Sequence, residues 1–581
     1  EQKKARGMRR AIILSKRAST KNIGNQRALV STSRPKRTRR KPEDILQCPY
    51  CDALVWHSEN CGRDPQNGNP LYTICCQQGR VKLPPVRQPP PVLEKLQNES
   101  SFRNNIRVYN SILAFTSIGA KIDHTVSSGS GPPTFRIQGQ NYHRIGSLTP
   151  ASGNPPKFLQ LYIVDTSNEV SNRIRSLQRT PSSGPLQESI VKQLIDMLDS
   201  NNHLCHIFRK ARDQYESDSA KEFTIRLVSN QEKGRQYDLP DTNEVAGLIV
   251  GDLSTTTGYK DVILQYQSNH LQEIRDDHPL YMSLQYPLLF PYGEYGFHTE
   301  IPYVVAEGRQ RKKSFISIRE YYAYQIQTRL KEGKTIIKSG RLLHQYVVDA
   351  YTAIEAERLR WIRNNQEQLR ADLYNNVCDA VCKGDTDARV HGKRVILPSS
   401  FTGGPRYMIE KYHDAMAICR THGNPDLFIT MTANPNWKEI NDHLEACGGG
   451  SGNDRPDIEC RVFKMKLEQM LEDFKKGTFF KPYIAVLYTI EFQKRGLPHS
   501  HMLLWLDGAS RIPTTNEVDA IISAELPHKE NDEQGFELVE KHMMHGPCGL
   551  DRPKSPCMRN KECSKRYPRQ YSQHTSIDKS G

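Results

Sequence analysis

The chain has 581 residues, 36% of them hydrophobic, too many for one small core and enough for about three globular units. No run of about 20 apolar residues exists to span a membrane, and the N-terminus lacks the apolar stretch of a signal peptide, Ala11-Ile12-Ile13-Leu14 being too short for either role. The net charge is +16, but fifteen Lys or Arg against one acid lie between Glu1 and Lys41, so this tail holds +14 of the excess and the rest only +2.

Residues 1–44 read as a basic tail without a core. Its cluster Arg34, Lys36, Arg37, Arg39, Arg40 and Lys41 fits a nuclear localisation signal or a tether that releases counterions from DNA; the plain alternative is a solvated charge run. Fourteen cysteines without a secretory signal argue for a reducing compartment, where clustered thiols bind metal rather than pair. Residues 45–80 hold such a cluster: Cys48 and Cys51 form a CxxC knuckle, and His57, Cys61, Cys75 and Cys76 follow. A tetrahedral zinc would take Cys48, Cys51, one of His57 or Cys61, and one of Cys75 or Cys76; the alternative is a loop of free thiols.

Residues 81–100 carry Pro84-Pro85 and Pro89-Pro90-Pro91 and read as an extended linker. From 101 to 300 an accessory α+β region is expected, with strands over Thr134–Gln138 and Phe158–Val164 and a helix from Ser182 to Tyr215, where Ile190, Leu194, Ile195, Met197 and Leu198 recur at helical spacing. Its aromatic segment Tyr286–Gly293 suits the core, or, if exposed, stacking on unpaired bases. Residues 301–400 are expected to be helical, over Ile316–Leu330 and Leu342–Tyr374. Gly384 through Gly392-Lys393-Arg394 is not a phosphate-cradling loop, since the spacing is wrong and Arg stands where Ser or Thr belongs.

Residues 401–535 read as β-α-β-β, an antiparallel sheet backed by helices: a strand over Asp426–Thr432, an amphipathic helix over Asp457–Lys475, then a hairpin. Its second strand begins with Gly496-Leu497-Pro498-His499-Ser500-His501. Alternate strand residues share a face, so His499 and His501 present two imidazoles together while Ser500 points away. Glu491 and Gln493, at the end of the preceding strand, can add oxygen ligands for one divalent cation, Mg²⁺ or Mn²⁺, with positions left for phosphate and water. The alternative is an idle histidine pair on a sheet surface. Lys494 and Arg495, in the connection, are basic candidates for nucleic-acid contact. Residues 536–581 hold His545, Cys548, Cys557 and Cys563, a Cys₃His set for a second zinc.

The text "EFQKRGLPHSHMLLWL" resembles the HUH motif (His, hydrophobic, His) of the replication-initiator module of Helitron transposons, with Ser500 in the hydrophobic position. "CPYCDALVW", "TFRIQGQNYHRIGSLTP", "HPLYMSLQYPLLFPYGEYGF", "LFITMTANPNWKEI" and "KHMMHGPCG" are similar to blocks of that family in its order, so the resemblance covers roughly residues 45–570. It implies an α+β HUH palm and metal-assisted nicking of single-stranded DNA through a phosphotyrosine link. It also implies a nuclear protein with a helicase in cis. The paired tyrosines are expected beyond Gly581, because "CSKRYPRQY", with Tyr567 and Tyr571, is similar to a structural segment and Pro568 disfavours a helix there. The alternative is a catalytically inactive remnant that binds single-stranded DNA.

Overall fold

Two short strands, β1 (Ile45–Gln47) and β2 (Leu54–Trp56), pair antiparallel because the CxxC turn folds back on itself, the Cys48 N–H donating to the Ala53 carbonyl at 2.9 Å. The computed structural model describes residues 41–576, apart from 42, 120, 123–136, 139–141, 177–185, 218–222, 228–245, 251–261, 266–271, 305–312, 367–395, 448, 494–495, 509–513, 523–524, 546 and 568–571. The knuckle is stitched to distant chain: Ala53 bridges to Arg329, and the Leu54 N–H donates to the Thr328 carbonyl at 2.9 Å.

Helices α1 (Thr73–Cys76), α2 (Pro91–Asn98) and α3 (Ser100–Leu113) follow. Residues 81–100 are therefore not the extended linker expected from their prolines. Val81, Leu83, Leu93 and Leu96 are buried in the same cluster as Cys48 and Tyr72. Pro91 sits in the first turn of α2, where a missing N–H breaks no hydrogen bond. The expected helix from Ser182 to Tyr215 is two, α4 (Glu188–Asn201) and α5 (His203–Ser217). Asn202 divides them: its Oδ1 accepts the N–H groups of Leu204 and Cys205, capping the second helix. Phe158–Tyr162 forms a 3₁₀ turn rather than the expected strand, with the Tyr162 hydroxyl donating to the Leu113 carbonyl at 2.7 Å. Of the expected strand at Thr134–Gln138, Ile137–Gln138 is a strand and 134–136 lie outside the described residues.

Helices α6 (Ile318–Gln325) and α7 (Arg341–Asn364) complete this part; residues 367–374 of the second expected helix lie outside the described residues. One apolar cluster runs from Cys48 to Ala353, so the described parts of the regions expected separately at 45–80, 81–100, 101–300 and 301–400 share a core. At its centre the Asp349 carboxylate accepts the Tyr286 hydroxyl at 2.9 Å and lies 2.6 Å from His143 Nε2. Tyr286, Leu288, Leu289 and Phe290 are buried, which removes this aromatic segment as a stacking surface for bases.

The C-terminal unit contains α8 (Pro405–His422), β3 (Leu427–Thr432), α9 (Lys438–Ala446), α10 (Pro456–Lys476), β4 (Tyr483–Phe492) and β5 (Pro498–Leu506). The α10 sequence explains its extent: Pro456 opens it, Asp457 and Glu459 lie at the positive end, Lys475 and Lys476 at the negative end, and Gly477 at φ 72° closes it. Sheet order is β3-β5-β4, all antiparallel, so the histidine strand is central. One face carries Met502 and the partly buried Ile429 and Met431, and packs on Phe463 and Leu467 of α10. The fold is α+β, with small antiparallel sheets and helices. Among the described residues no helix is long and apolar enough to cross a membrane.

The two cores meet at a seam. Trp56 of β2 packs with Ile440, Leu444, Ile458 and Val462, and Arg461 of α10 grips Glu59 with two charge-assisted bonds of 2.7 and 2.6 Å. His443 is fully buried there, its ring 5.0 Å from that of Trp56. Burial pushes His443 down to about 3, with Arg461 and Arg455 adding repulsion.

Candidate metal centres

Strand register assembles the first centre. Within β5, His499 pairs with Thr432 of β3 on one side and Glu491 of β4 on the other; His501 pairs with Thr430 and Thr489. These six side chains share one face of the sheet by the period-two rule. Donor atoms of Glu491, His499 and His501 all lie within 4.8 Å of one another, and His501 Nε2 stands 3.2 Å from Glu491 Oε1. Thr432 Oγ1 lies 2.6 Å from His499 Nδ1. A cation on His499 Nε2 would place the ring proton on Nδ1, and Thr432 would then accept it, fixing tautomer and ring together. Two imidazoles and a carboxylate suit Mn²⁺ and tolerate Mg²⁺.

Gln493 stands two residues beyond Glu491. It lies past the last paired residue, Phe492, exposed in the hairpin turn, where its N–H donates to the Leu497 carbonyl at 3.0 Å. Lys494 and Arg495 lie outside the described residues, as do Arg34, Lys36, Arg37, Arg39 and Arg40; Lys41 is exposed, its N–H donating to Asp44 Oδ2 at 2.8 Å. Ser500 points to the opposite face, fully buried, its hydroxyl without a partner among the described residues. An unmade buried hydrogen bond is destabilising. Ser500→Ala is therefore expected to stabilise the protein by roughly 1 kcal/mol. The urea midpoint measures this, and a lower midpoint would count against it.

The second centre gathers Cys48, Cys51, Cys75 and Cys76. Sulfur separations of 3.7 Å between Cys48 and Cys76 and between Cys75 and Cys76 match the edge of a tetrahedron with metal–sulfur bonds of about 2.3 Å, roughly 3.8 Å. The Gly79 N–H donates to Cys76 Sγ at 3.2 Å, in a turn whose Gln77 and Gln78 adopt φ of 50° and 61°. Hydrogen bonding from Cys48 and the neighbouring thiols holds Cys51 far below the usual thiol range, while the same contacts push Cys75 and Cys76 up. Both adjacent cysteines stand among the four converging donors, whereas the sequence had offered one of them with His57 or Cys61. The Cys61 thiol is exposed and donates to the Leu71 carbonyl at 3.0 Å, while His57 lines a groove of about 1140 Å³ between the knuckle and α10.

The third centre holds His545, Cys548, Cys557 and Cys563, with His545 Nε2 3.2 Å from Cys563 Sγ. A hairpin pairs Met558–Arg559 with Glu562–Cys563, and its tip residues Asn560 and Lys561 take φ of 52° and 69°. Backbone N–H groups of Tyr567 and Lys565, together with His545, lower Cys563 to about 6. The second and third centres each have the donors to hold a metal such as zinc.

Two neighbours of the first centre escaped the sequence reading. Thr432 and Phe428 lie on β3, far along the chain from the histidines. The alternation Phe428, Thr430, Thr432 would have placed all three on one face, but not shown which strand that face joined.

No curated protein matches the chain. Residues 321–504 match the family described as the Helitron helicase-like domain at N-terminus, a span that begins in α6 and ends inside β5, past both histidines. Over that span the chain is similar to a Helitron helicase-like N-terminal domain.

Proposed function

We propose that the sheet unit is an HUH-type nickase palm, the DNA-cutting part of a Helitron replication initiator that acts on single-stranded transposon DNA. The observation that carries this reading is the Glu491 carboxylate, 3.2 Å from His501 and directly opposite His499 in the strand register. A bound Mg²⁺ or Mn²⁺ would polarise the scissile phosphate and stabilise charge on the departing oxygen. Glu491, His499 and His501 orient that phosphate, and Thr432 keeps the His499 proton on the ring nitrogen away from it. The nucleophile implied by the family resemblance is a tyrosine hydroxyl, weak at its ordinary pKa of about 10 and in need of this help. Tyr488 lies on the opposite face of the sheet, and the Tyr567 ring rests 5.2 Å from that of His545, so neither receives the role.

In this reading the two cysteine clusters carry structural zinc. A helicase in cis, the nucleus as site of action and the basic residues 34–41 as a localisation or DNA-tethering segment belong to the same proposal.

The test is metal binding followed by nicking. His499→Ala is expected to weaken Mn²⁺ binding by more than the ~10–100-fold that loss of an outer partner causes, and Thr432→Ala by about 10-fold. Titration calorimetry or Mn²⁺ paramagnetic resonance reads both. An unchanged affinity in His499→Ala would remove the metal site and the nickase with it.

A further inference from the structure

Phe428 is the one large apolar side chain that stands exposed, at 65%, on the histidine face of the sheet among its described residues. It lies near the start of β3, pairs with Leu503, and is braced by the ladder to β5, so its exposure is built into the strand. Its ring lies parallel to that of His501, the centroids 5.5 Å apart and the planes at 7°. Beside it across the strands lie the partly buried Leu503 and Leu487; toward the histidines the face turns polar, with Thr430, Thr432, Thr489 and Glu491 exposed. A protein-docking surface needs a contiguous apolar patch. A single exposed aromatic plane, stacked on His501 and bordered by hydroxyls and a carboxylate on the histidine side, suits instead a flat ligand with a π-face and polar edges.

We propose that Phe428 is a stacking platform for one unpaired nucleobase, next to the phosphate held at Glu491, His499 and His501. The inference rests on the nickase reading and names the subsite that fixes the strand at that phosphate. Phe428 fills this role because stacking tolerates any base while still setting the register of the chain. Its second contact, on His501, couples the seated base to a metal ligand, so Phe428 acts as a positioning residue for the cut.

The experiment uses the full chain with Mn²⁺ and single-stranded oligonucleotides in which 2-aminopurine is stepped through each position. Stacking on Phe428 should quench fluorescence at one position. Phe428→Ala and Phe428→Leu should abolish that quench and weaken binding roughly 5- to 100-fold, while Phe428→Trp restores both. The slope of affinity against salt should stay unchanged, since no phosphate contact is lost. The thermal midpoint of Phe428→Leu should match wild type, because the side chain is exposed, and the variant should still bind Mn²⁺ through Glu491, His499 and His501. If Phe428→Leu keeps the quench and the affinity, the stacking inference falls alone. A wild-type chain that binds Mn²⁺ but no oligonucleotide overturns both readings.

Discussion

Cys75→Ser is expected to strip one of two zinc equivalents from the purified protein and to unfold the N-terminal core. Cys48, Cys75 and Cys76 are buried members of the large apolar cluster that also holds Tyr72, Leu93 and Ala353. Arg329 ties that cluster to the knuckle, donating to the Cys51 carbonyl at 2.9 Å while stacking 3.6 Å over Tyr324. Structural zinc of this kind contributes on the order of 10 kcal/mol of apparent binding free energy at neutral pH, as much as the whole stability of many domains. Losing it leaves three thiols facing one another inside a core. The matching change at the other cluster, Cys557→Ser, removes the second equivalent but leaves the core folded, because His545, Cys548, Cys557 and Cys563 lie in a half-exposed C-terminal segment. Elemental analysis and circular dichroism together decide the matter. A Cys75→Ser protein that retains both metals, or melts with wild type, would show that the four thiols hold nothing.

Arg461→Ala is expected to destabilise the junction between the two cores by about 3–5 kcal/mol, the range for removing one partner of a buried ion pair. The guanidinium does four things at once. It holds both Glu59 oxygens, donates to the Leu54 carbonyl at 3.2 Å and to Gln327 Oε1 at 3.3 Å, and lies 4.6 Å over the Trp56 ring. Removing it strands a carboxylate whose side chain is only 15% exposed. Arg461→Lys keeps the charge but not the fork and should recover only part of the loss. The double variant Glu59→Gln with Arg461→Met should be less damaged than Arg461→Ala alone, since no buried charge is left over. Urea unfolding followed at Trp56 reads all three. Coincident midpoints for wild type and Arg461→Ala would mean that the seam is held by apolar packing.

The parts of this fold legible in the sequence were those where a short pattern carried its own partner. The hairpin of β4 and β5 could be read because its two apolar strands flank a short polar turn, and α10 because its apolar residues recur at helical spacing between an opening proline and a closing glycine. The pairing of Glu491 with His499 followed from that hairpin alone. What stayed hidden depended on long-range packing. Pro84, Pro85 and Pro89–Pro91 said "extended", yet Leu93 and Leu96 had a core to fill. Phe158–Val164 has the composition of a strand, but Phe158–Tyr162 winds into a 3₁₀ turn whose Tyr162 hydroxyl is tied to the Leu113 carbonyl. At the knuckle, spacing could not decide between Cys75 and Cys76; only the short helix α1, which buries both, brings the two sulfurs together with those of Cys48 and Cys51. Thr432 could not be found at all, because no local rule says which strand lies beside β5.

Glu491, His499 and His501 hang on one and the same ladder, the one that joins β5 to the edge strand β4. Amides of His499 and His501 point toward β4, the side on which the Leu497 carbonyl accepts from Gln493, so their hydrogen exchange should follow the opening of that edge strand. Glu491 sits near the end of that edge strand, paired on one side only, and its amide should exchange through the same local opening. Cation affinity therefore contains the free energy of quieting that edge, and a cation that binds all three side chains will announce itself first as protection along the end of β4.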